Sequence, residues 1–311
     1  MNPQIQILRT PDPAILDWFV EGDMSTVALD TETMGKDWLP LYRQIQVTED
    51  PVEKKGLELK IGKPPYSKQA LDHRQNLLAV VQLAERGGRC IVALLETDEM
   101  KQWVTELLET LKASYDPVWL LANAKFDFHQ LEHHLGVHFC EAKVHDVVLS
   151  EALIKGNRDD ASVALAVLCE TYEVPTEYGK VKMDPVCDWW QTLTTEQIEY
   201  ASRDVYSLFF IMDAQKKRME QDRLLRVRKL EHNLLPYLTR MEDEGLHFDH
   251  DKLHRFLLSA QEKAVELKNS VAATFGAANI NSGQQMIEKI VQVYGITPII
   301  VTGKQIGRAH V

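Results

Sequence analysis

The chain has 311 residues, of which 45% are hydrophobic and 26% charged, and its formal net charge is −11. That length allows one large domain or two modest ones with a packed core, and no apolar run approaches the roughly 20 residues a membrane span needs. The acidic balance argues against extended binding of duplex nucleic acid, because phosphate contacts demand Lys and Arg, but it leaves room for a short groove gripping a few nucleotides.

The segment AILDWFV, after Pro11 and Pro13, has the spacing of a short helix, and STVALDTET contains a brief apolar run, Val27 to Leu29, that ends in acids. The latter is the pattern of a buried strand emerging at a sheet edge. Residues 37–75 mix charge with a Pro-Pro pair and no sustained period, which predicts a long insertion or flexible excursion. Two apolar runs in NLLAVVQLAERGGRCIVALLE, joined at Gly87-Gly88, predict an antiparallel pair added to the first strand. TDEMKQWVTELLETLKASY has helical spacing with Thr97 as N-cap. VWLLAN is then a buried strand and KFDFHQLEHHLG a helix ended by Gly136. ASVALAVLCETYEV predicts another helix, and TTEQIEYASRDVYSLFFIMDAQKKRMEQD a long one capped by Thr194 or Thr195, with Glu196 suited to its dipole.

This alternation indicates an α/β domain over roughly 1–222. From 223 to 305 the pattern is all-helical, with two long amphipathic stretches each closed by Gly and a shorter one in NSGQQMIEKIVQVYG. The N-terminus lacks the basic start and apolar core of a secretory signal. Cys90, Cys140, Cys169 and Cys187 lie far apart without a CxxC pair, so they indicate neither a zinc site nor a disulfide framework. A reducing cytoplasmic setting is the corresponding expectation.

Chemistry concentrates in three places. Asp30 and Glu32, two apart on a strand, project to one face; alone, they are equally a strand end that caps a helix. Asp127 follows a strand end in Asn123-Ala-Lys-Phe-Asp127, where acids of α/β sheets converge on a crevice. Helix-dipole preference explains an Asp there, but not the Asn four residues earlier. Tyr200 and Asp204, four apart, share a helix face, which ordinary amphipathicity also produces.

Taken in order and context, DTET, NAKFD and YASRD resemble the three motifs of the DEDD exonucleases, and Tyr200 in place of histidine resembles the DEDDy branch. That branch includes the proofreading domains of family A DNA polymerases and ribonuclease D. The resemblance implies a ribonuclease H-like mixed sheet flanked by helices. It implies two Mg²⁺ or Mn²⁺ ions held by Asp30, Glu32, Asp127 and Asp204, with Tyr200 orienting the attacking water. Thr31, Thr33, Asn123 and Phe126 occupy positions that face substrate in the family. An apolar wedge usually follows DTET, whereas Met34-Gly35-Lys36 stands here.

The stretch LEHNLLPYLTRMEDEGLHFD, through Glu231, Met241, Glu242, Gly245 and Asp249, resembles the passage from exonuclease into thumb in family A polymerases. NINSGQQM, followed by Gly295-Ile296, resembles a thumb motif. The resemblance thus implies proofreading of a single-stranded DNA 3′ end or frayed primer terminus in a bacterial or phage-infected cell. Polymerase palm and fingers would lie elsewhere in a longer protein, since their signatures are lacking here. The last residues, 306–311, look foreign to a thumb helix and are expected to be a non-native tail. The alternative is an RNA-trimming exonuclease of ribonuclease D type, although the helical domains that accompany that enzyme are not recognisable.

Overall fold

The computed structural model describes residues 3–62, 66–156, 163–180, 187–276 and 279–295. The predicted non-native tail and Ile296 fall outside them. Contacts divide the chain into a unit spanning Met1–Glu244 and a second spanning Gly245–Val311.

The first unit is built on a six-stranded mixed sheet ordered β1-β4-β3-β2-β5-β6. Its strands are β1 (Gln4–Leu8), β2 (Thr26–Gly35), β3 (Asn76–Glu85), β4 (Arg89–Leu94), β5 (Val118–Leu121) and β6 (Lys143–Asp146). The hairpin β3–β4 turns at Gly88, whose φ of 110° admits glycine without strain, and β3 lies antiparallel to β2 as expected. On the other side β2, β5 and β6 run parallel, which puts the ends of β2 and β5 at one edge of the sheet. The short outer strands β1 and β6 have too few alternating residues to be visible as a period.

Helices cover both faces. Val27 and Leu29 of β2 enter one core with Phe19 of α1 (Pro13–Val20), Val104 and Leu108 of α5 (Asp98–Tyr115), and Phe128 of α6 (Ala124–Leu135). Ala28 enters the other with Val205, Phe209 and Met212 of α9 (Thr195–Gln221). Strand alternation therefore decides which helix each β2 side chain meets. Thr97 caps α5 as predicted. Thr194 caps α9 in a reciprocal box with Gln197.

The excursion over 37–75 differs from the expectation of irregular chain. It contains α2 (Trp38–Val47), α3 (Pro51–Ile61) and α4 (Tyr66–Gln69). Asp50 accepts from Val52 N at 2.8 Å with Pro51 at the first helical position, and Trp38, Leu39 and Ile45 are buried. The apolar residues are too few and scattered to register as a period, yet they suffice to dock α2. The remaining helices of this unit are α7 (Val147–Lys155), α8 (Leu165–Thr171) and α10 (Leu225–Glu244). The second unit holds α11 (His250–Phe275) and α12 (Gly283–Tyr294). Among the described residues, no helix is long and apolar enough to cross a membrane.

Candidate active site

Three segments deliver the acids. Even-numbered residues of β2 face α9, so Asp30 and Glu32 project toward Asp204, and one carboxylate oxygen from each of the three lies within 4.8 Å of the others. Odd-numbered Thr31 faces the opposite way, and its Oγ1 donates to Asp127 Oδ1 at 2.7 Å. The strand irregularity between Glu32 and Thr33 falls at the point where the acids end, a common place for a bulge to re-aim side chains.

Asp127 sits in the first turn of α6, and that helix start is clamped by a residue with no sequence signature. Asp146, at the end of β6, accepts from Asn123 N at 3.2 Å and Ala124 N at 2.8 Å while also capping α7 through Val148 N at 2.8 Å. Asn123 itself is exposed and left-handed, φ 68° and ψ 53°, a conformation Asn tolerates better than most residues. That supplies a backbone reason for asparagine at this position. Phe126 is half-buried and belongs to neither core cluster. Thr33 Oγ1 donates to Ala70 O at 2.5 Å, tying the strand end to the excursion. Met34, where a wedge would stand, is fully buried and its Sδ accepts from Trp189 N at 3.3 Å. It is a core residue.

Lys180, just after the turn at 175–179, was not distinguishable in sequence, because a single lysine in a loop carries no spacing. Its Nζ donates to Asp204 Oδ2, forming an ion pair, and to Tyr200 Oη at 3.0 Å. The Tyr200 ring lies 4.2 Å from the same Nζ and 6.3 Å from the Trp189 ring, centroid to centroid in the latter case.

Among the described residues, the electrostatics are those of crowded acids with Lys180 as their cation. Burial, then repulsion from Asp204, pushes Asp30 up to about 7. Burial followed by the charge of Asp30 holds both Glu32 and Asp127 well above the carboxylate range. Asp204 is raised by burial, although Lys180 opposes the shift. For Lys180 burial works against the charge, but Asp204 and Tyr200 outweigh it and the ammonium is held above its ordinary value. Asp204 Oδ1 is buried without a hydrogen-bond partner among the described residues. An all-oxygen, acceptor-only donor set with an orphaned buried oxygen fits hard divalent cations such as Mg²⁺ or Mn²⁺.

Over part of its length the chain is similar to a 3′-5′ exonuclease domain. Residues 67–220 match the 3'-5' exonuclease family model, which covers β3, β5, α6 and α9, while Asp30 and Glu32 precede the matched span across the excursion. No curated protein matches the chain. Among solved structures, it resembles Brucella melitensis NrnC with a TM-score of 0.54 and 19% identity, over 78% of this chain and 93% of that one. NrnC with bound Mg²⁺ (TM-score 0.53, 20% identity, 80% and 100% covered) and NrnC bound to pGG (0.53, 20%, 80% and 99%) are similarly alike. The catalytic core of RRP6 from Trypanosoma brucei matches with a TM-score of 0.53 and 13% identity, over 75% of this chain and 52% of that one. At these identities the likeness is one of fold.

Proposed function

We propose that the chain is a divalent-metal-dependent exonuclease that removes nucleoside 5′-monophosphates from single-stranded DNA 3′ ends, proofreading for a family A DNA polymerase. The observation that carries the chemistry is the meeting of Asp30, Glu32 and Asp204 within 4.8 Å, beside Asp127 and Tyr200. Asp30, Glu32, Asp127 and Asp204 would hold the metal ions. Bound there, a pair of divalent ions would lower the pKa of water and stabilise the departing 3′ oxygen.

The chain's own groups do the positioning. Burial, then the charges of Glu32 and Asp204, raises the Tyr200 phenol above its ordinary value, so the hydroxyl stays protonated and orients a water instead of deprotonating it. Glu32 accepts a hydrogen bond from that water on its other side. Half-buried Phe126 offers a ring on which a terminal base stacks without regard to sequence. Asn123, exposed at the start of α6, contacts the adjacent nucleotide, Thr33 lies at the strand end, and buried Thr31 acts through its hydrogen bond to Asp127.

The DNA assignment rests on the thumb-like residues 231–249 and on a family model that carries DNA polymerase A in its name. A second reading, RNA trimming, is favoured by the fold likeness to NrnC, one of whose structures holds pGG, and to RRP6. Digestion of matched, 5′-labelled DNA and RNA oligonucleotides separates the two. We expect Mg²⁺-dependent release of mononucleotides with DNA preferred and none in EDTA. Asp30→Ala should fall to the metal-free background, and Tyr200→Phe should lose about a hundredfold, the lower end of what a positioned proton-handling group contributes. Undiminished digestion by Asp30→Ala overturns the site; strong preference for RNA overturns the proofreading assignment.

A further inference from the structure

Away from the carboxylates, a group of imidazoles and acids gathers where the loop before β3, helix α6 and the end of α10 meet. His73 Nε2 and His129 Nδ1 each lie 3.0 Å from the same oxygen, Asp243 Oδ1. Their rings stack 4.9 Å apart at an interplanar angle of 6°. His129 Nε2 is held by Glu242 Oε2 at 3.0 Å, and Glu242 is in turn anchored by Lys125 Nζ at 2.5 Å. His133, one turn beyond His129, presents its ring 5.3 Å from that of His73.

We propose that His73, His129 and Asp243 form a second metal site, for a divalent transition ion of the Zn²⁺ class, distinct from the carboxylate centre. One nitrogen from each histidine and one oxygen from Asp243 lie within 4.8 Å of one another. Ligand atoms at about 2.0–2.2 Å from a tetrahedral Zn²⁺ are themselves about 3.4 Å apart, so little movement is required. Imidazole nitrogen with one carboxylate selects such ions over Mg²⁺, which prefers an all-oxygen shell.

The surroundings suit the assignment. His129 faces a carboxylate at each ring nitrogen, Asp243 at Nδ1 and Glu242 at Nε2, while stacked on a second imidazole. With an ion on Nδ1, the neutral ring donates its Nε2–H to Glu242, the carboxylate–histidine–metal arrangement that orients metal-binding histidines. Arg74 Nη2 donates to the Asp243 backbone oxygen at 3.3 Å and lies 4.0 Å from Asp243 Oδ1, so it makes no hydrogen bond to the ligand oxygen. Water would fill the remaining position of a tetrahedral shell. Such an ion would fasten the last turn of α10 and the root of the excursion to α6.

Zn²⁺ binding by the tag-free full chain in excess Mg²⁺ tests this, with Co²⁺ absorption as a report on nitrogen ligation. The expected result is one Zn²⁺ per chain that Mg²⁺ does not displace, retained in Asp30→Ala, and a four-coordinate Co²⁺ spectrum. His73→Asn and His129→Asn should each weaken binding at least tenfold, and Glu242→Gln about tenfold, as loss of an orienting partner does. No Mg²⁺-resistant Zn²⁺ in the wild-type chain overturns the proposal whatever the variants do. Equal binding by the folded His73→Asn/His129→Asn double variant overturns it as well.

Discussion

Among the described residues, Lys180 is the only cation bonded to the acids of the site, and its ammonium occupies a position from which it neutralises Asp204 in the absence of metal. Removing one member of a buried ion pair leaves a charge uncompensated, which costs about 3–5 kcal/mol when both are fully buried; Lys180 is about a fifth exposed, so the loss should fall below that. Lys180→Met is therefore expected to lower the melting temperature of the metal-free chain, and to increase the stabilisation gained on adding Mg²⁺. Calorimetry with and without EDTA measures both. The pH response follows from the same crowding. Carboxylates whose folded pKa is raised bind more protons folded than unfolded, so stability is greatest at low pH and is lost as pH rises. For Asp30 the window runs from about 4 to about 7. Metal-free chain should melt at progressively lower temperature across that window, and Mg²⁺ should flatten the dependence; a metal-free melting temperature that rises through the window would contradict the crowding. At this scale the sequence displayed the acids and the tyrosine, because their spacing on strand and helix is periodic. It concealed Lys180 and Asp146, which reach the site through loop and strand-end geometry that only the tertiary fold determines.

Among the elements, β2 and α9 were legible at once, the first from its apolar run and the second from its cap and long amphipathic period. The excursion was not. Its helices dock through a few contacts at the end of β2, where Gly35 is a requirement of close approach. A Cβ on Gly35 would lie 2.1 Å from Trp38 Cδ1, 2.4 Å from Trp38 Nε1 and 2.9 Å from Gln69 Cβ. Trp38 is itself buried, so the ring cannot swing away freely. Gly35→Ala should cost about 1–3 kcal/mol, the usual range for overpacking, seen as a lowered urea midpoint. An unchanged midpoint would show that the excursion is more loosely held than its packing indicates.

For the molecule as a whole, the unit Met1–Glu244 contains every candidate site residue and both core clusters, while α11 and α12 have no buried residue among those described. A chain ending at Glu244 is expected to unfold cooperatively and to keep its Mg²⁺-dependent digestion within about twofold to threefold, the scatter typical of individual contributions at unrelated positions. Loss of folding in that shorter chain would assign the second unit a stabilising role. The α/β alternation and the helical continuation were visible as a change of periodicity, whereas the mixed sheet was implied by the resemblance of the motifs. The strand order was not, since β1 and β6 pair at the sheet edges with too few residues to announce themselves.

The manner in which the excursion is held has a consequence for how this protein can vary. Thr33 to Ala70 ties the excursion to the acid-bearing strand, and Gln69 Nε2 to Asp37 at 2.8 Å ties its two ends together. Between them α3 is largely exposed, and closing a longer loop adds only about 0.6 kcal/mol per doubling of its length. Length and composition are thus free to drift around residues 48–60, while the stitched ends keep Asp30 and Glu32 in register. The segment is a tolerant graft on an intolerant root.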